Sequence, residues 1–281
     1  MTGPLAVDSA TYGPWAVIAG GSEGVGASFA RRLAGSGINL VLIARRPGPL
    51  EETARTARAQ GVDARTVATD LLHPSALDAI RLATDDVEVG LLIVNAGANT
   101  YGSEFVDGDL AQFQKVVDLS ITVPLRLAHH FGGRLKRRRR GGIILLGSLA
   151  GYFGQPVISV YSAAKAFDRI FAEGLWAELE PHGVHVLELV LGVTRTPAME
   201  RAGLRLDLPG LNVAEPDDVA AEGLAHLADG PVWVAGGNLA AAQARNGWPR
   251  DEIVRKAVAG SKLLMAPIEA RDGQDGKAGL P

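Results

Sequence analysis

The sequence predicts an α/β fold, a doubly wound parallel sheet of about seven strands with helices on both faces. Three observations predict it. Short apolar runs alternate with segments of helical pattern along most of the chain. Most of those runs are continuous rather than alternating, which suits strands covered on both faces. No linker and no internal repeat breaks the rhythm, so the 281 residues read as a single domain, 1–281, with its core at about 14–235.

The elements follow in order. Residues 15–19 (WAVIA) are a strand, and a glycine-rich turn leads from it into a helix over 24–34. A second strand at 38–43 and a helix around 50–60 lead to a strand at 64–69 and a helix around 75–83. A fourth strand lies at 90–94, a long helical stretch at 109–137 and a fifth strand at 142–146. A helix over 160–180, a strand at 184–191, a helix over 219–227 and a seventh strand at 232–235 complete the pattern. Right-handed crossovers are expected between parallel neighbours. Residues 193–215 carry two prolines and two glycines and read as an irregular excursion over the sheet, suited to a mobile lid. Residues 236–268 read as a helical extension, and 269–281 as a polar, glycine-rich, flexible tail.

Composition removes several function classes. With no cysteine, a disulfide scaffold, a thiolate nucleophile and a Cys-based metal site are excluded. A net charge of -3 gives no global attraction to nucleic acid or to anionic membranes. The N-terminus lacks the basic and apolar regions of a signal peptide, and no apolar run approaches the ~20 residues that span a bilayer. A cytoplasmic location is therefore expected. The run Lys136–Arg140 ends a predicted helix, where cations complement the dipole, so it reads as a solvated helix end rather than a nucleic-acid patch. His129-His130 and His182/His185 lack acidic partners at ligand spacing, so no metal site is expected. Trp233 and Trp248 read as packing residues.

The first strand runs into Ala19-Gly20-Gly21-Ser22-Glu23-Gly24-Val25-Gly26, with glycines spaced G-x-x-x-G-x-G. Glycine admits positive φ and lets a diphosphate approach the backbone, and the following helix turns free N–H groups toward the anion. This is the first βα turn, the place of a Rossmann dinucleotide site. Strand two ends in Ala44-Arg45-Arg46. An acidic residue there would hold the ribose 2′-OH of NAD; two guanidinium groups suit the 2′-phosphate of NADP instead, with Ser22 within reach. NADP(H) is thus favoured and NAD(H) is possible.

Tyr161 and Lys165 stand four apart on a predicted helix and share a face. A free phenol is a poor base at neutral pH, and a nearby ammonium favours its phenolate. Ser148 ends strand five, thirteen residues before Tyr161, at the edge where open α/β sheets bind ligands. Its hydroxyl can bond a substrate oxygen while Tyr161 gives or takes a proton.

Together these pieces resemble the short-chain dehydrogenase/reductase family over about residues 14–235. The resemblance rests on the glycine turn, Asp70-Leu71, Asn95-Ala96-Gly97, Ser148, Tyr161, Lys165 and Thr196. It implies that Asp70 and Leu71 border the adenine and that Asn95, Ala96 and Gly97 support sheet and cofactor. It implies that Ser148, Tyr161 and Lys165 are catalytic, and that Val193 and Thr196 flank the nicotinamide carboxamide. It also implies a homodimer or homotetramer packed through the helices around 110–135 and 160–180. Three positions depart from the family pattern. Ala19 stands where Thr is common, Leu191-Gly192 where Pro-Gly is common, and Asp118-Leu119-Ser120 where the third residue is usually Asn. In the family that Asn holds a water linking the lysine to solvent. Ser120 still donates and accepts, so a working but altered relay through Ser120 is expected.

The expected function is NADP(H)-dependent interconversion of a carbonyl and an alcohol on a small, apolar substrate, a ketone, steroid-like or 3-oxoacyl compound. Met199, Leu204, Leu206 and Leu208 are candidates for the apolar wall. One rival is an NADP(H)-binding sensor or scaffold that has lost turnover, motivated by Ser120 and Leu191. A second is an enoyl reductase on the same fold, which the Tyr–Lys spacing of four disfavours.

Overall fold

A computed structural model of the chain describes residues 7–98, 101–201, 203–247 and 249–256. The elements, in order, are α1 (Ser9–Tyr12), β1 (Trp15–Ala19), α2 (Gly24–Gly35), β2 (Asn39–Ala44), α3 (Pro47–Arg58), β3 (Ala64–Ala68), α4 (Ala76–Thr84) and β4 (Val89–Val94). They continue through α5 (Leu110–Val117), α6 (Val123–Arg138), β5 (Gly141–Ser148), α7 (Ser159–Leu179) and β6 (Val184–Leu191). The last are β7 (Val193–Thr194), α8 (Pro197–Arg201), β8 (Val213–Ala214), α9 (Pro216–Ala225), β9 (Val232–Val234) and α10 (Leu239–Arg245).

Seven strands form one sheet in the order β3-β2-β1-β4-β5-β6-β9, and every neighbouring pair is parallel. The order reverses beside β1, so the C-terminal ends of β1 and β4 flank the crevice where such sheets bind ligands. Successive strand residues face opposite ways. Ala16 and Ile18 of β1 therefore join one core with Phe29 and Leu33 of α2, Leu50 of α3 and Val219 of α9. Val17 and Ala19 join the other with Ile80 of α4, Phe131 and Leu135 of α6, and Ala172 and Leu179 of α7. The continuous apolar strands thus serve two cores, as expected of a doubly wound sheet. Each fully buried Leu, Ile or Val contributes about 1.5–3 kcal/mol relative to exposure.

The stretch 109–137 departs from its expected form. It is two helices, α5 and α6, joined by a π-helical turn at Asp118–Thr122. Pro124 supplies the reason. It has no N–H to bond the carbonyl four residues back, at Ser120, so the α-helical ladder is broken there and the chain takes the wider turn.

The excursion 193–215 is more ordered than its composition suggested. Val193 and Thr194 pair in parallel with Val213 and Ala214, and α8 lies between them. Trp233 packs as expected, stacked on His226 and donating its indole N–H to Glu222 at 3.0 Å. Trp248 and the tail 269–281 lie outside the described residues, as does 257–268 of the expected helical extension; α10 and a further helical stretch at 250–256 account for its described part.

Candidate active site

The glycine turn is shaped by close approaches. Gly20 has φ +88°, and a Cβ there would lie 2.8 Å from the Ala96 amide nitrogen. A Cβ on Gly26 would overlap the Gly20 carbonyl oxygen. Asn95 donates its side-chain amide to that same oxygen at 2.8 Å, and the amides of Asn95 and Ala96 donate to the Ala19 carbonyl at 2.9 and 2.8 Å. Asn95 and Ala96 thus brace the turn from β4. Glu23, at the N-cap of α2, makes no side-chain cap bond, and Val25 is buried in the first turn. Thr196 closes on the turn from the far loop: a Cβ on Gly24 would sit 3.0 Å from its Cγ2. Val193 is held in the small sheet with Val213.

The two arginines after β2 have different environments. Arg46 pairs with Glu23 at 2.5 Å, and Arg201 of α8 pairs with the same carboxylate. Hydrogen bonding from Arg201, with help from Arg46, holds the Glu23 carboxyl below the usual range. Arg45 is exposed and makes no ion pair among the described residues. Ser22 is half-buried, and its carbonyl accepts from Thr53 at 3.3 Å. Asp70 is exposed and accepts from the Leu72 amide at 3.0 Å, while Leu71 is buried.

Ser148 is the last residue of β5, and its Oγ accepts from the Ala150 amide at 3.1 Å, capping a short 3-10 turn at Leu149–Tyr152. Gly151 in that turn lies against the α7 backbone; a Cβ there would be 2.6 Å from the Lys165 carbonyl carbon. Its missing side chain is what lets the Ser148 end of the strand dock beside the Tyr161–Lys165 helix. Lys165 is buried, with Nζ 5.9 Å from the centre of the Tyr161 ring. Nζ donates to the Leu146 carbonyl at 2.7 Å and to Asp168 Oδ2 at 2.9 Å. A Cβ on Gly97 would lie 3.4 Å from Lys165 Nζ and 3.7 Å from Ser120 Oγ, so the two polar atoms border the space left by that glycine. Ser120 is buried and its Oγ has no partner among the described residues. The π turn is what presents Ser120 here.

Two site residues escaped the sequence reading. Asp168 is 2% exposed and Glu188, on β6, is 1% exposed. Burial presses the Lys165 ammonium downward, but the attraction of Asp168 and Tyr161 outweighs it and the net shift is upward. Burial raises the Asp168 carboxyl more than Lys165 lowers it. Burial, and then the neighbouring Asp168, push Glu188 up to about 8. The signals were a lone acid in the apolar run Val186-Leu187-Glu188-Leu189-Val190 and an acid three residues past Lys165 on the helix face that carries Ala172.

Among the described residues, no cluster of three or more His, Asp or Glu could hold a metal ion, and no helix is long and apolar enough to cross a membrane.

Comparison with known proteins points one way. The family described as short chain dehydrogenase matches residues 14–205. A 7beta-hydroxysteroid dehydrogenase of Clostridium sardiniense is 29% identical over 247 residues, 87% of this chain and 94% of that one. A very-long-chain 3-oxoacyl-CoA reductase of Neurospora crassa is 33% identical over 222 residues, 73% of this chain and 67% of that one. A short-chain dehydrogenase from Sphingobium yanoikuyae, solved in complex with NADPH, superposes with a TM-score of 0.74 at 29% identity, covering 95% of this chain and 98% of that one.

Proposed function

The chain belongs to the short-chain dehydrogenase family and is an NAD(P)-dependent oxidoreductase interconverting carbonyl and alcohol groups, and on that premise we propose that it prefers NADP(H) and acts on an apolar ketone, steroid-like or 3-oxoacyl substrate. The observation that carries the reading is the buried Lys165, fixed by two hydrogen bonds beside Tyr161 and next to the strand end that bears Ser148.

The residues present fit a dinucleotide. The positive φ of Gly20 and Gly24, the side-chain-free approach at Gly26 and the open N-terminus of α2 form a cradle that a Cβ would fill. Gly20, Ser22, Glu23, Gly24, Val25 and Gly26 would surround the diphosphate, with Asn95, Ala96 and Gly97 behind it. Asp70 and Leu71 would border the adenine, and Val193 and Thr196 the carboxamide. Arg45, which has no ion pair among the described residues, offers its guanidinium to a 2′-phosphate, and Arg46, which shares the Glu23 carboxylate with Arg201, lies beside it. When bound, the nicotinamide supplies or accepts the hydride.

The chain's own groups handle the proton and the alignment. Ser148 Oγ accepts from the Ala150 amide and keeps its own O–H to donate to the substrate oxygen. Tyr161 donates its phenolic proton to that oxygen in reduction and removes it in oxidation. Lys165 holds a fixed positive charge beside the phenol and keeps an N–H for the ribose. Ser120 faces the same space and can pass a proton onward. Met199, Leu204, Leu206 and Leu208, all half-buried, form the apolar wall. Relatives named for a hydroxysteroid and a very-long-chain acyl thioester support such a substrate.

Exposed Leu110, Leu125 and Ile170 on α5, α6 and α7 support assembly into a homodimer or homotetramer. Light scattering after gel filtration should give a mass of two or four chains; a monomer would contradict that assembly. For the activity, NADPH oxidation across ketones, quinones and 3-oxoacyl thioesters should reveal turnover with an apolar carbonyl, and faster with NADPH than with NADH. Turnover only of activated alkenes would point to enoyl reduction instead.

A further inference from the structure

Lys165 is one of three ionisable side chains packed together below the site, and the other two have no place in the reaction outlined above. Asp168 sits one turn further along α7, with side-chain exposures of 6% for Lys165 and 3% for Asp168. Glu188 reaches in from β6. Its neighbours Val184 and Val186 pack on the α7 side of the sheet, and alternation places Glu188 on the same side. Room for it comes from Gly147 on the adjoining strand, where a Cβ would overlap Glu188 Oε1. Asp168 Oδ1 and Glu188 Oε2 are buried without hydrogen-bond partners among the described residues. Burying carboxyl groups is costly, and a core this apolar would be served as well by leucine and valine.

An ammonium has three N–H donors. The Leu146 carbonyl and Asp168 fix two of them, which leaves one for the face toward Tyr161, Gly97 and Ser120. The charged and titratable groups around the cluster are Tyr161, Arg169 and Glu173 of α7 and Tyr152 of the turn after β5.

We propose that Asp168 and Glu188 are positioning residues for the reaction: the Asp168 carboxylate anchors the Lys165 ammonium from behind and keeps it charged, and Glu188, in the space beside Gly147, sets the charge around that anchor. The inference rests on the function proposed above for Lys165 and Tyr161. With Asp168 gone, burial is opposed only by the weaker attraction of Tyr161 and Glu188, so the balance moves against the charged form of Lys165 and the ammonium loses its proton at lower pH. Glu188, with its pKa raised to about 8, is neutral in the neutral pH range and adds negative charge beside Lys165 above it.

The test compares Asp168→Asn, Glu188→Gln and the double variant Asp168→Leu/Glu188→Val, which restores an apolar core should the single variants fold poorly. In carbonyl reduction, Asp168→Asn should lower kcat by about 10- to 100-fold with little change in KM. Its alkaline limb should move to lower pH by about one unit or more. The double variant should fold and display the same shift. Lower stability with an unmoved pH profile would reduce the pair to a structural role and overturn the proposal. A second arm needs no turnover. Glu188 is raised from 4.5 to about 8 in the folded chain, so its contribution is fully present below about 4.5 and is lost as pH rises through 8. The parent's urea midpoint should therefore fall relative to Glu188→Gln between those values and level off above. A double-mutant cycle of Lys165→Met and Asp168→Asn on the same midpoint should reveal coupling. Parallel pH curves and no coupling would overturn the proposal, even if the parent were inactive and the assigned reaction itself had failed.

Discussion

Arg45 and Arg46 are adjacent in sequence but differ in what they can bind. Arg46 shares the carboxylate of Glu23 with Arg201, while Arg45 faces solvent with no counter-ion among the described residues. Arg45→Ala should therefore weaken NADPH binding about tenfold or more and leave NADH binding nearly unchanged, a charge-assisted hydrogen bond being about 1.5–3 kcal/mol. Fluorescence titration of both cofactors checks this, and equal losses for both would move the 2′-phosphate elsewhere. Residues with fixed spacing were the legible ones. Tyr161, Lys165 and Ser148 carry a pattern that the sequence displays, and the structure places Lys165 beside the Tyr161 ring. Asp168 and Glu188 were not legible, because nothing local says that an acid will be buried and face a lysine. The clasp between Glu23 and Arg201 joins residues 178 apart, which no spacing rule reaches.

Among the elements, the interrupted helix α5–α6 determines where Ser120 points. Pro124→Ala would restore the missing N–H and favour a continuous helix through 118–122. Ser120 would then rotate away from the space beside Gly97. Helix content by circular dichroism should hold or rise while kcat falls; unchanged kcat would separate the π turn from the chemistry. The strands were legible from their apolar runs because burial on both faces leaves no alternation to misread. The break at 118–122 was carried only by Pro124, which an apolar periodicity reading passes over. The short strands β7 and β8 could not be read, since two residues of pairing leave no pattern and depend on partners twenty positions apart.

For the molecule as a whole, the glycine turn after β1 is joined to the excursion 193–215, because Thr196 rests on Gly24 and Arg201 on Glu23. A ligand that binds only the folded chain stabilises it by RT ln(1 + [L]/Kd). NADPH at 100 times its Kd should add about 2.7 kcal/mol and raise Tm by several degrees. NADH at the same total concentration should do less, and no rise with either would contradict dinucleotide binding. The doubly wound parallel sheet could be expected from the alternation of strands and helices together with the glycine turn, but the strand order β3-β2-β1-β4-β5-β6-β9 depends on pairings far apart in sequence. The packing of the excursion against that turn could not be expected, since its proline- and glycine-rich composition fits many loop paths.

In the proposed reaction Tyr161 moves the proton that accompanies hydride transfer. The direct test is the steady-state rate of NADPH-dependent carbonyl reduction by the parent and by Tyr161→Phe, with NADPH affinity measured in both. The expected result is a loss in kcat of about 10²- to 10⁴-fold with NADPH binding retained. Turnover by Tyr161→Phe at the parent's rate would contradict the role assigned to Tyr161.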